Sequence, residues 1–559
     1  MIRGNKDADI WIILGYPTVK DEYNGEIASG STGREMETML RDVGIDINQC
    51  YIAPVTFERP THQDLAKSQY FCTKTQAPKK GYLAWGDTYV HPNLHQSIQA
   101  LRKTVAEAKP KMVIAFGELP LLALTENSGI TNWRGSHLTT VEGIKCIPTY
   151  EPAKVMVMWE WRFIAVQDLR RAARERGTEE YTQRPTENYI TNPTYNEAKS
   201  RLQHLIHEAD KAQAEGCTIP YAVDVETRFG HITHFGVAWS EDSALAIRFS
   251  RFGELDVAEA STMSAEEETD IAQTCRALLS HPAVVSVGQN FLYDIQYFAH
   301  DWGVIPSQWE DTMTAWHVLY AGLQKSLAFI SSMVLPHYEY WKDSSPDEEP
   351  AYSIYNCRDC ARTWAIWREL KLLLKQQNQW DQYQEQIRAQ RPNLKCMLRG
   401  FRQDIRLRQQ LGMELLEAMN ERECWLHTFT SALTGDQPLT KSKKAQPWYR
   451  SPTQQQKIFY ELLGLPVVRN KKTGRPSCDD WSLQKLKKKE PLLTPIFDII
   501  LEYRSLGVFF STFIQSPLDW DNRIRSSFGV GATETFRNTS SADVFGFGGN
   551  LQNIPKGNE

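Results

Sequence analysis

Short apolar runs alternate with helical periodicity in the first part of the chain, and this alternation limits the folds open to it. Strand-like runs occupy Asp9–Leu14, Cys50–Val55 and Lys111–Phe116. Apolar residues recur with helical spacing in Arg34–Val43 and Leu101–Ala108. Strands that alternate with helices are typical of a parallel sheet. The sequence therefore predicts an α/β domain here.

A second α/β pattern follows a polar, charged stretch from about Arg171 to Asn196, which is typical of a domain junction. Tyr221–Val225 predicts a strand, and Thr233–Phe249 predicts two more strands joined by a turn. The segment Gln376–Leu433 is rich in Gln, Lys and Arg and predicts helices. The expected fold class is α/β with a mostly helical C-terminal region.

The composition leaves both enzymes and scaffolds open. Hydrophobic residues make up 41% and charged residues 23% of the 559 residues, which is ordinary for a folded protein, and this length predicts several domains. The net charge of −5 and the pI near 6.3 argue mildly against a nucleic-acid partner, although local charge clusters matter more. No apolar run approaches the roughly 20 residues of a membrane span. The N-terminus lacks a signal-peptide pattern, so no membrane partner is expected.

The ten cysteines are scattered along the chain and do not have the spacing of a disulfide scaffold. Reduced thiols, and hence a cytoplasmic location, are the simplest interpretation. Cys357 and Cys360 form the one close pair in the sequence. A structural zinc site would need a second pair of ligands at suitable spacing, and none is evident.

Three short motifs with acidic residues carry the strongest chemical signal. Asp224 and Glu226 end an apolar strand, where alternation places both side chains on one face. Two such carboxylates repel each other unless a cation lies between them, and hard oxygen ligands suit Mg²⁺ or Mn²⁺. Each motif alone also fits a solvated surface. The two other motifs pair Asn290 with Asp294 and Tyr355 with Asp359, each spaced by one helical turn. The order and separation of the three motifs together favour a metal site.

These motifs resemble the three exonuclease motifs of the proofreading domain of family A (pol I-like) DNA polymerases, in the tyrosine (DEDDy) subtype. The resemblance covers about Tyr221–Leu373 and implies a ribonuclease H-like fold with two divalent metal ions, Mg²⁺ or Mn²⁺. It implies that Asp224 bridges both metals and that Asp294 serves the metal near the leaving oxygen. It also implies that Glu226 and Asp359 complete the other metal site and that Tyr355 orients the attacking water.

The C-terminal third resembles the thumb and the first part of the palm of the same polymerases. The thumb resemblance rests on Ser451–Pro466 and Lys472–Ser477, and the palm resemblance on Arg523–Phe528, Thr533–Arg537 and Asn550–Pro555. The family usually has glycine where Phe536 stands. Clustered basic residues here suit phosphate contacts, although solvated surface is the alternative. The residues expected to contact DNA are Asn290, Lys441, Lys443, Lys444, Lys472, Arg475, Arg537 and Gln552.

The family's polymerising residues would follow Glu559, so this chain alone is not expected to add nucleotides. The expectation is a split polymerase, completed by a second polypeptide that carries palm and fingers, or a truncated product. A split is favoured because an unpartnered palm strand would be an unstable edge.

Residues 1 to about 175 resemble the uracil-DNA glycosylase superfamily, in particular its iron–sulfur branch. The resemblance rests on Lys109–Gly117, Ile130–Gly135 and Pro148–Pro152. Glu151 stands where that family has histidine, and an ionised carboxylate cannot stabilise an anionic leaving base. The cluster's Cys-x-x-Cys is missing, so no iron–sulfur cluster is expected. A DNA-binding or docking domain is favoured over an active glycosylase, for which the candidate residues are Asp21, Glu22 and Lys154.

The combined interpretation is the N-terminal portion of a bacteriophage-type family A polymerase, located in the bacterial host cytoplasm if viral. Its expected segments are a glycosylase-like domain (1–175), a linker (176–200), an exonuclease domain (201–375), a thumb-like region (376–520) and a palm start (521–559). The predicted function is 3′→5′ proofreading hydrolysis of DNA at single-stranded or frayed 3′ ends, next to a primer–template duplex. The alternatives are a non-catalytic DNA-binding half of a split polymerase and a uracil-DNA glycosylase.

Overall fold

The chain forms two compact units in the computed structural model, Met1–Arg388 and Ala389–Glu559. The structure describes residues 1–62, 64–85, 88–178, 180–182, 186–249, 261, 263–342, 349–435, 439, 446–471 and 473–553. Within these residues, no helix has both the length and the apolar character needed to cross a membrane.

The first part of the first unit is built on a mostly parallel sheet. The strands of this part of the chain are β1 (Ile10–Leu14), β2 (Cys50–Pro54), β3 (Phe71–Cys72), β4 (Leu83–Trp85), β5 (Thr88–Val90), β6 (Met112–Phe116), β7 (Leu138–Thr139) and β8 (Lys145–Thr149). Strands β3, β5 and β4 form a separate small antiparallel sheet in that order. The main sheet has the order β2-β1-β6-β8-β7, in which only the β7–β8 pairing is antiparallel. The strands and the parallel sheet predicted from the apolar runs are confirmed.

Helices complete the α/β arrangement of this part of the chain. They are α1 (Val19–Asn24), α2 (Ser31–Asp42), α3 (Ala77–Lys80), α4 (Pro92–Ala108), α5 (Glu118–Thr125), α6 (Ile130–Trp133), α7 (Pro152–Val157) and α8 (Trp161–Glu175). The central strands β1 and β6 are buried almost throughout, as expected for parallel strands packed on both faces.

The second part of the first unit has a mixed sheet. Its strands are β9 (Asn188–Ile190), β10 (Ile219–Arg228), β11 (His231–Ala238), β12 (Ser243–Arg248), β13 (Val284–Gly288) and β14 (Gln308–Asp311). The sheet order is β14-β13-β10-β11-β12-β9, with antiparallel pairing in the β10–β11–β12 meander and parallel pairing outside it. Its helices are α9 (Tyr195–Ala214), α10 (Ala265–Ser280), α11 (Leu292–Asp301), α12 (Thr312–Leu319), α13 (Leu327–Val334) and α14 (Ala351–Gln376).

The described residues of the polar stretch interpreted as a junction include regular secondary structure. Helix α8 continues to Glu175, and Arg171 is 1% exposed. Within the expected linker 176–200, β9 pairs with β12 and α9 begins at Tyr195. A charged stretch is expected to face solvent, whereas Arg171 is buried because backbone carbonyl groups accept its hydrogen bonds.

The second unit is mostly helical, and helix α15 (Trp380–Arg399) spans the boundary between the units. An apolar core forms around Trp448, Phe459 and Phe497. Phe536 has a φ of 60°, a left-handed conformation that favours glycine. The remaining elements are α16 (Ile405–Thr434), α17 (Pro452–Gln456), α18 (Asp480–Lys489), α19 (Thr494–Phe509), β15 (Phe401–Arg402), β16 (Arg523–Ile524), β17 (Ser526–Gly529) and β18 (Thr539–Ala542).

Candidate metal centre

Strand β10 and helix α14 bring three of the expected carboxylates together. Asp224 and Glu226 alternate along β10, and Asp359 lies on α14. Oxygen atoms of these three side chains all lie within 4.8 Å of one another. Asp294, in the first turn of α11, accepts a hydrogen bond from the backbone N–H of Val225 through Oδ1 at 3.0 Å. The sheet therefore supplies two carboxylates, and two helices supply one more each.

A glycine in β11 allows α14 to approach the sheet closely. Gly236 pairs with Asp224 across the β10–β11 ladder. A Cβ atom at this position would lie 2.3 Å from Asn356 Oδ1 and 2.5 Å from Cys360 Sγ. Such separations are far below van der Waals contact, so any larger residue would push α14 away. The small residue in β11 thus helps to set the separation between Asp359 and β10.

Two residues on α14 that the sequence analysis did not identify orient the β10 carboxylates. Asn356 donates from Nδ2 to Asp224 Oδ2 at 2.9 Å, and the Tyr352 hydroxyl donates to Glu226 Oε2 at 3.1 Å. With Tyr355 and Asp359 they occupy positions i, i+3, i+4 and i+7, which is one face of a helix. This spacing was the available sequence signal.

Two further residues at the site have no such signal. The indole Nε1 of Trp341 donates to Asp359 Oδ1 at 2.7 Å. The ammonium group of Lys342 donates to the Tyr355 hydroxyl at 2.6 Å and to Asp359 Oδ2. Asp359 and Tyr355 therefore share a cationic partner from a segment that lies outside the three motifs.

Three carboxyl groups of the site have raised pKa values. Burial, reinforced by repulsion from the neighbouring carboxylates, raises the pKa of Asp224 well above its ordinary value. Burial and the Asp359 carboxylate raise the pKa of Glu226 to about 7. Burial also raises the pKa of Asp294. A bound cation would stabilise the ionised forms of these carboxyl groups and lower their pKa values.

The donor set fits a hard divalent cation. Carboxylate oxygens are the ligands that Mg²⁺ and Mn²⁺ prefer, and the crowding of Asp224, Glu226 and Asp359 accounts for their shared need of a cation. Burial and the Asp359 carboxylate raise the pKa of Tyr355 to about 12, so its hydroxyl keeps its proton at neutral pH. The individual metal roles expected for these residues stay predictions.

Asn290 departs from the geometry expected from its spacing. It precedes helix α11, which begins at Leu292, and has a φ of 57°, so it does not lie one helical turn from Asp294. The carboxylate of Asp311 accepts hydrogen bonds from the backbone N–H groups of Asn290 at 3.3 Å and Phe291 at 3.0 Å. Asp311 thus fixes the entry into α11, and asparagine tolerates the left-handed backbone better than most residues. The expected DNA contact of Asn290 stays a prediction.

A second group of ligand-type side chains lies at the β10–β11 turn, in the described part of the chain. His231 Nδ1 and His300 Nδ1 lie 3.1 Å and 2.7 Å from the same oxygen, Asp301 Oδ1. The backbone N–H of Ile232 donates to Asp301 Oδ2 at 2.8 Å. This carboxylate therefore fastens the turn to the end of α11.

Residues 1–173 match the family model of the uracil DNA glycosylase superfamily. Part of the chain is also similar to DNA polymerase I. The Bacillus subtilis enzyme is 31% identical over 160 residues, which cover 28% of this chain and 16% of the relative. DNA polymerase I of Helicobacter pylori is 37% identical over 108 residues, which cover 19% of this chain and 10% of the relative.

The chain spans less than a quarter of the length of these curated relatives. A solved structure titled "POL domain of Pol1 from M. smegmatis complex with DNA primer-template and dNTP" aligns with a TM-score of 0.44 at 17% identity. That alignment covers 63% of this chain and 55% of the other. The mixed α/β fold class with a glycosylase-like first part and a helical second unit is confirmed.

The predicted DNA contacts in the second unit are exposed where the structure describes them. Arg475, Arg537 and Gln552 are at least partly solvent-exposed. Gln552 donates from Nε2 to the Asn538 carbonyl at 2.6 Å, and its predicted contact with duplex, like those of the two arginines, is untested. Four of the expected contacts lie outside the described residues: Lys441, Lys443, Lys444 and Lys472.

In the glycosylase-like part, the candidate residue Asp21 has a structural task. It is 2% exposed, and its carboxylate accepts hydrogen bonds from the backbone N–H and hydroxyl of both Thr18 and Ser29. It thereby caps helix α1. The second candidate residue, Glu22, pairs with Arg59 at 3.2 Å. Glu151, at the position of the histidine of the resembled family, has a pKa raised by burial. Asp21 is therefore engaged at a helix end, where a capping box needs it.

Proposed function

We propose that the first unit carries a metal-dependent 3′→5′ exonuclease that acts on DNA. The observation that supports this best is the convergence of Asp224, Glu226 and Asp359 from a strand and a helix, with their oxygens within 4.8 Å. Partial similarity to DNA polymerase I supports DNA as the substrate and a role in replication. The proofreading role, the metal identity and a second polypeptide belong to this proposal.

The proposed reaction is hydrolysis of the terminal phosphodiester bond. Water attacks phosphorus, the bond to the 3′ oxygen of the penultimate nucleotide breaks, and that oxygen leaves as a hydroxyl group beside a released nucleoside 5′-monophosphate. Divalent cations held by the carboxylates would supply the charge that activates water and stabilises the leaving oxygen. The proposal gives Tyr355, which keeps its proton at neutral pH, the role of holding the attacking water by a hydrogen bond.

The chain's own residues hold this arrangement before substrate binds. Asn356 and Tyr352 fix the orientations of Asp224 and Glu226 through the hydrogen bonds described above. Trp341 does the same for Asp359. Side chains fixed in this way lose little conformational entropy when ligands arrive, which is the physical advantage of a preorganised site.

Digestion of a 5′-labelled single strand by the purified chain tests the proposal. We expect a ladder of shortened products with Mg²⁺ and intact substrate with EDTA. Asp224→Ala should abolish cleavage. Asp270→Ala removes a carboxylate that pairs with Lys199 at the surface and should cleave normally. Cleavage by Asp224→Ala at the rate of the unaltered chain would contradict the assignment.

A uracil-DNA glycosylase is the weaker candidate. The match of residues 1–173 to that superfamily favours it. Against it, Asp21 is engaged in the capping box of α1, and a carboxyl group, Glu151, stands where that superfamily has histidine. Release of free uracil from a uracil-containing strand would revive this candidate.

A further inference from the structure

The glycosylase-like part of the first unit (residues 1–173) forms hydrogen bonds with a segment that precedes the candidate metal centre along the chain. This segment, Leu335–Lys342, follows α13 and precedes α14. Arg171 Nη2 donates to the Leu335 carbonyl at 3.0 Å. The backbone N–H of His137 donates to the Tyr338 carbonyl at 2.7 Å, and the Tyr338 N–H donates to His137 Nδ1 at 3.2 Å.

These contacts extend to Tyr340, the residue before Trp341. The backbone N–H of Tyr340 donates to Ser136 Oγ at 3.2 Å, and its ring meets Trp133 edge-on at 5.2 Å between centroids. Trp341 and Lys342 follow immediately and both contact Asp359. Residues 335, 338 and 340 are thus each held by the glycosylase-like part before the chain reaches the carboxylates.

A buried ionic network connects the glycosylase-like part with α13 and with the segment Leu335–Lys342. Arg134 and Arg171 are each 1% exposed and flank Asp168, which is 0% exposed. Arg134 Nη1 donates to Ser332 Oγ at 2.9 Å, and Arg171 Nη2 donates to the Ser332 carbonyl at 2.7 Å. Buried charges persist only where partners satisfy them, so moving α13 or the segment would take acceptors away from these two guanidinium groups. The network therefore favours one position of Leu335–Lys342.

We infer that Lys342 is a positioning residue of the metal centre. On the basis of the proposed function, its ammonium group holds Asp359 and Tyr355 in place in the metal-free protein and competes with a divalent cation for Asp359. The glycosylase-like part sets the position of Lys342 through its grip on residues 335–340. It thus acts as a support that tunes the metal affinity of the carboxylate site.

Electrostatic repulsion links Lys342 to the cation affinity of the site. An ammonium group that contacts a carboxylate repels a second cation at the same oxygen, and within a protein this repulsion is only partly screened. Removing the ammonium charge should therefore tighten cation binding, although it loosens the metal-free site. Removing hydrogen bonds between the glycosylase-like part and residues 335–340 should also tighten cation binding, because Lys342 then leaves Asp359 more readily.

Mn²⁺ binding to the full metal-free chain, measured by titration calorimetry, tests the inference without any cleavage assay. Lys342→Met should bind Mn²⁺ about tenfold more tightly, as expected from removing one nearby like charge in a partly screened site. Lys342→Arg, which keeps the charge, should bind as the unaltered chain does. Arg171→Gln should tighten binding, and the double variant should match Lys342→Met, since both changes act on one contact.

Controls separate the inference from the proposed function. Arg170→Gln removes the same charge from the exposed neighbouring position on α8 and should change nothing. If Arg171→Gln does not fold, Ser136→Ala removes only the hydrogen bond to Tyr340 and should shift the affinity in the same direction. Asp224→Ala should lose binding; binding as in the unaltered chain would remove the metal site and the proposed function.

Two results would overturn the inference while the proposed function stands. Loss of binding in Asp224→Ala, together with unchanged affinity in Lys342→Met, would show that Lys342 does not compete. Tighter binding in Lys342→Met, with unchanged affinity in folded Arg171→Gln and Ser136→Ala, would show that the glycosylase-like part does not position it.

Discussion

Replacing Glu226 by glutamine should stabilise the metal-free protein at high pH. Burial and the Asp359 carboxylate raise the pKa of Glu226 from 4.5 to about 7. This difference corresponds to at most about 3 kcal/mol of unfavourable ionisation in the folded state. Because the side chain is partly exposed and its titration is shared with its neighbours, ~1–2 kcal/mol is the expected effect.

The sign follows from proton linkage. Between pH 4.5 and about 7, the folded state binds more protons at Glu226 than the unfolded state does. Stability therefore falls as pH rises through this window. Glutamine resembles the protonated acid and does not titrate. The variant should match the unaltered chain near pH 5 and be more stable than it near pH 8.

Thermal unfolding in EDTA at both pH values measures this difference. Glu241→Gln is the matched control, because Glu241 pairs with Arg368 at the surface at 2.9 Å, and such pairs contribute at most about 1 kcal/mol. Adding Mg²⁺ at pH 8 should stabilise the unaltered chain more than Glu226→Gln, since ligands stabilise the state that binds them. The reasoning is refuted if the stability of Glu226→Gln, relative to the unaltered chain, is lower at pH 8 than at pH 5.

Two further substitutions test the packing and chemistry of the site. Gly236→Ala places a methyl group 2.3 Å from Asn356 Oδ1, so it should displace α14. The free energy of unfolding should fall by about 1–3 kcal/mol, and Mn²⁺ binding should weaken. Denaturant unfolding and calorimetry measure these two effects, and unchanged values would contradict the close approach of α14 to β11. Tyr355→Phe removes one hydroxyl group and should slow cleavage about 10²-fold while Mn²⁺ still binds; full activity would exclude Tyr355 from positioning water.

The parts of the site that the sequence predicted are those governed by short-range periodicity. Alternation along β10 placed Asp224 and Glu226 on one face, and helical spacing placed Tyr355 and Asp359 together on α14. The same rule extended by one turn would have identified Tyr352, because i, i+3 and i+7 share a helix face. Periodicity of this kind needs no knowledge of the tertiary fold.

Local patterns were insufficient where tertiary contacts override them. The spacing of Asn290 and Asp294 predicts a helical turn only if both residues are helical, and Asp311, at the end of β14, instead holds the backbone of Asn290 outside the helix. The polar stretch that begins at about Arg171 favours a junction, yet Arg171 is buried and donates to carbonyl groups 36 and 161 positions away along the chain. Neither partner is visible in a local window.

The path from the glycosylase-like part to Asp359 illustrates why function at such a site depends on more than its motifs. Ser136 and Tyr340 lie 204 positions apart, and no periodic pattern relates them. Their hydrogen bond nevertheless fixes the backbone next to Trp341, whose indole orients a carboxylate of the centre. An α/β domain can in this way affect the candidate metal centre without contributing a ligand to it, through the hydrogen bonds that hold Leu335–Lys342.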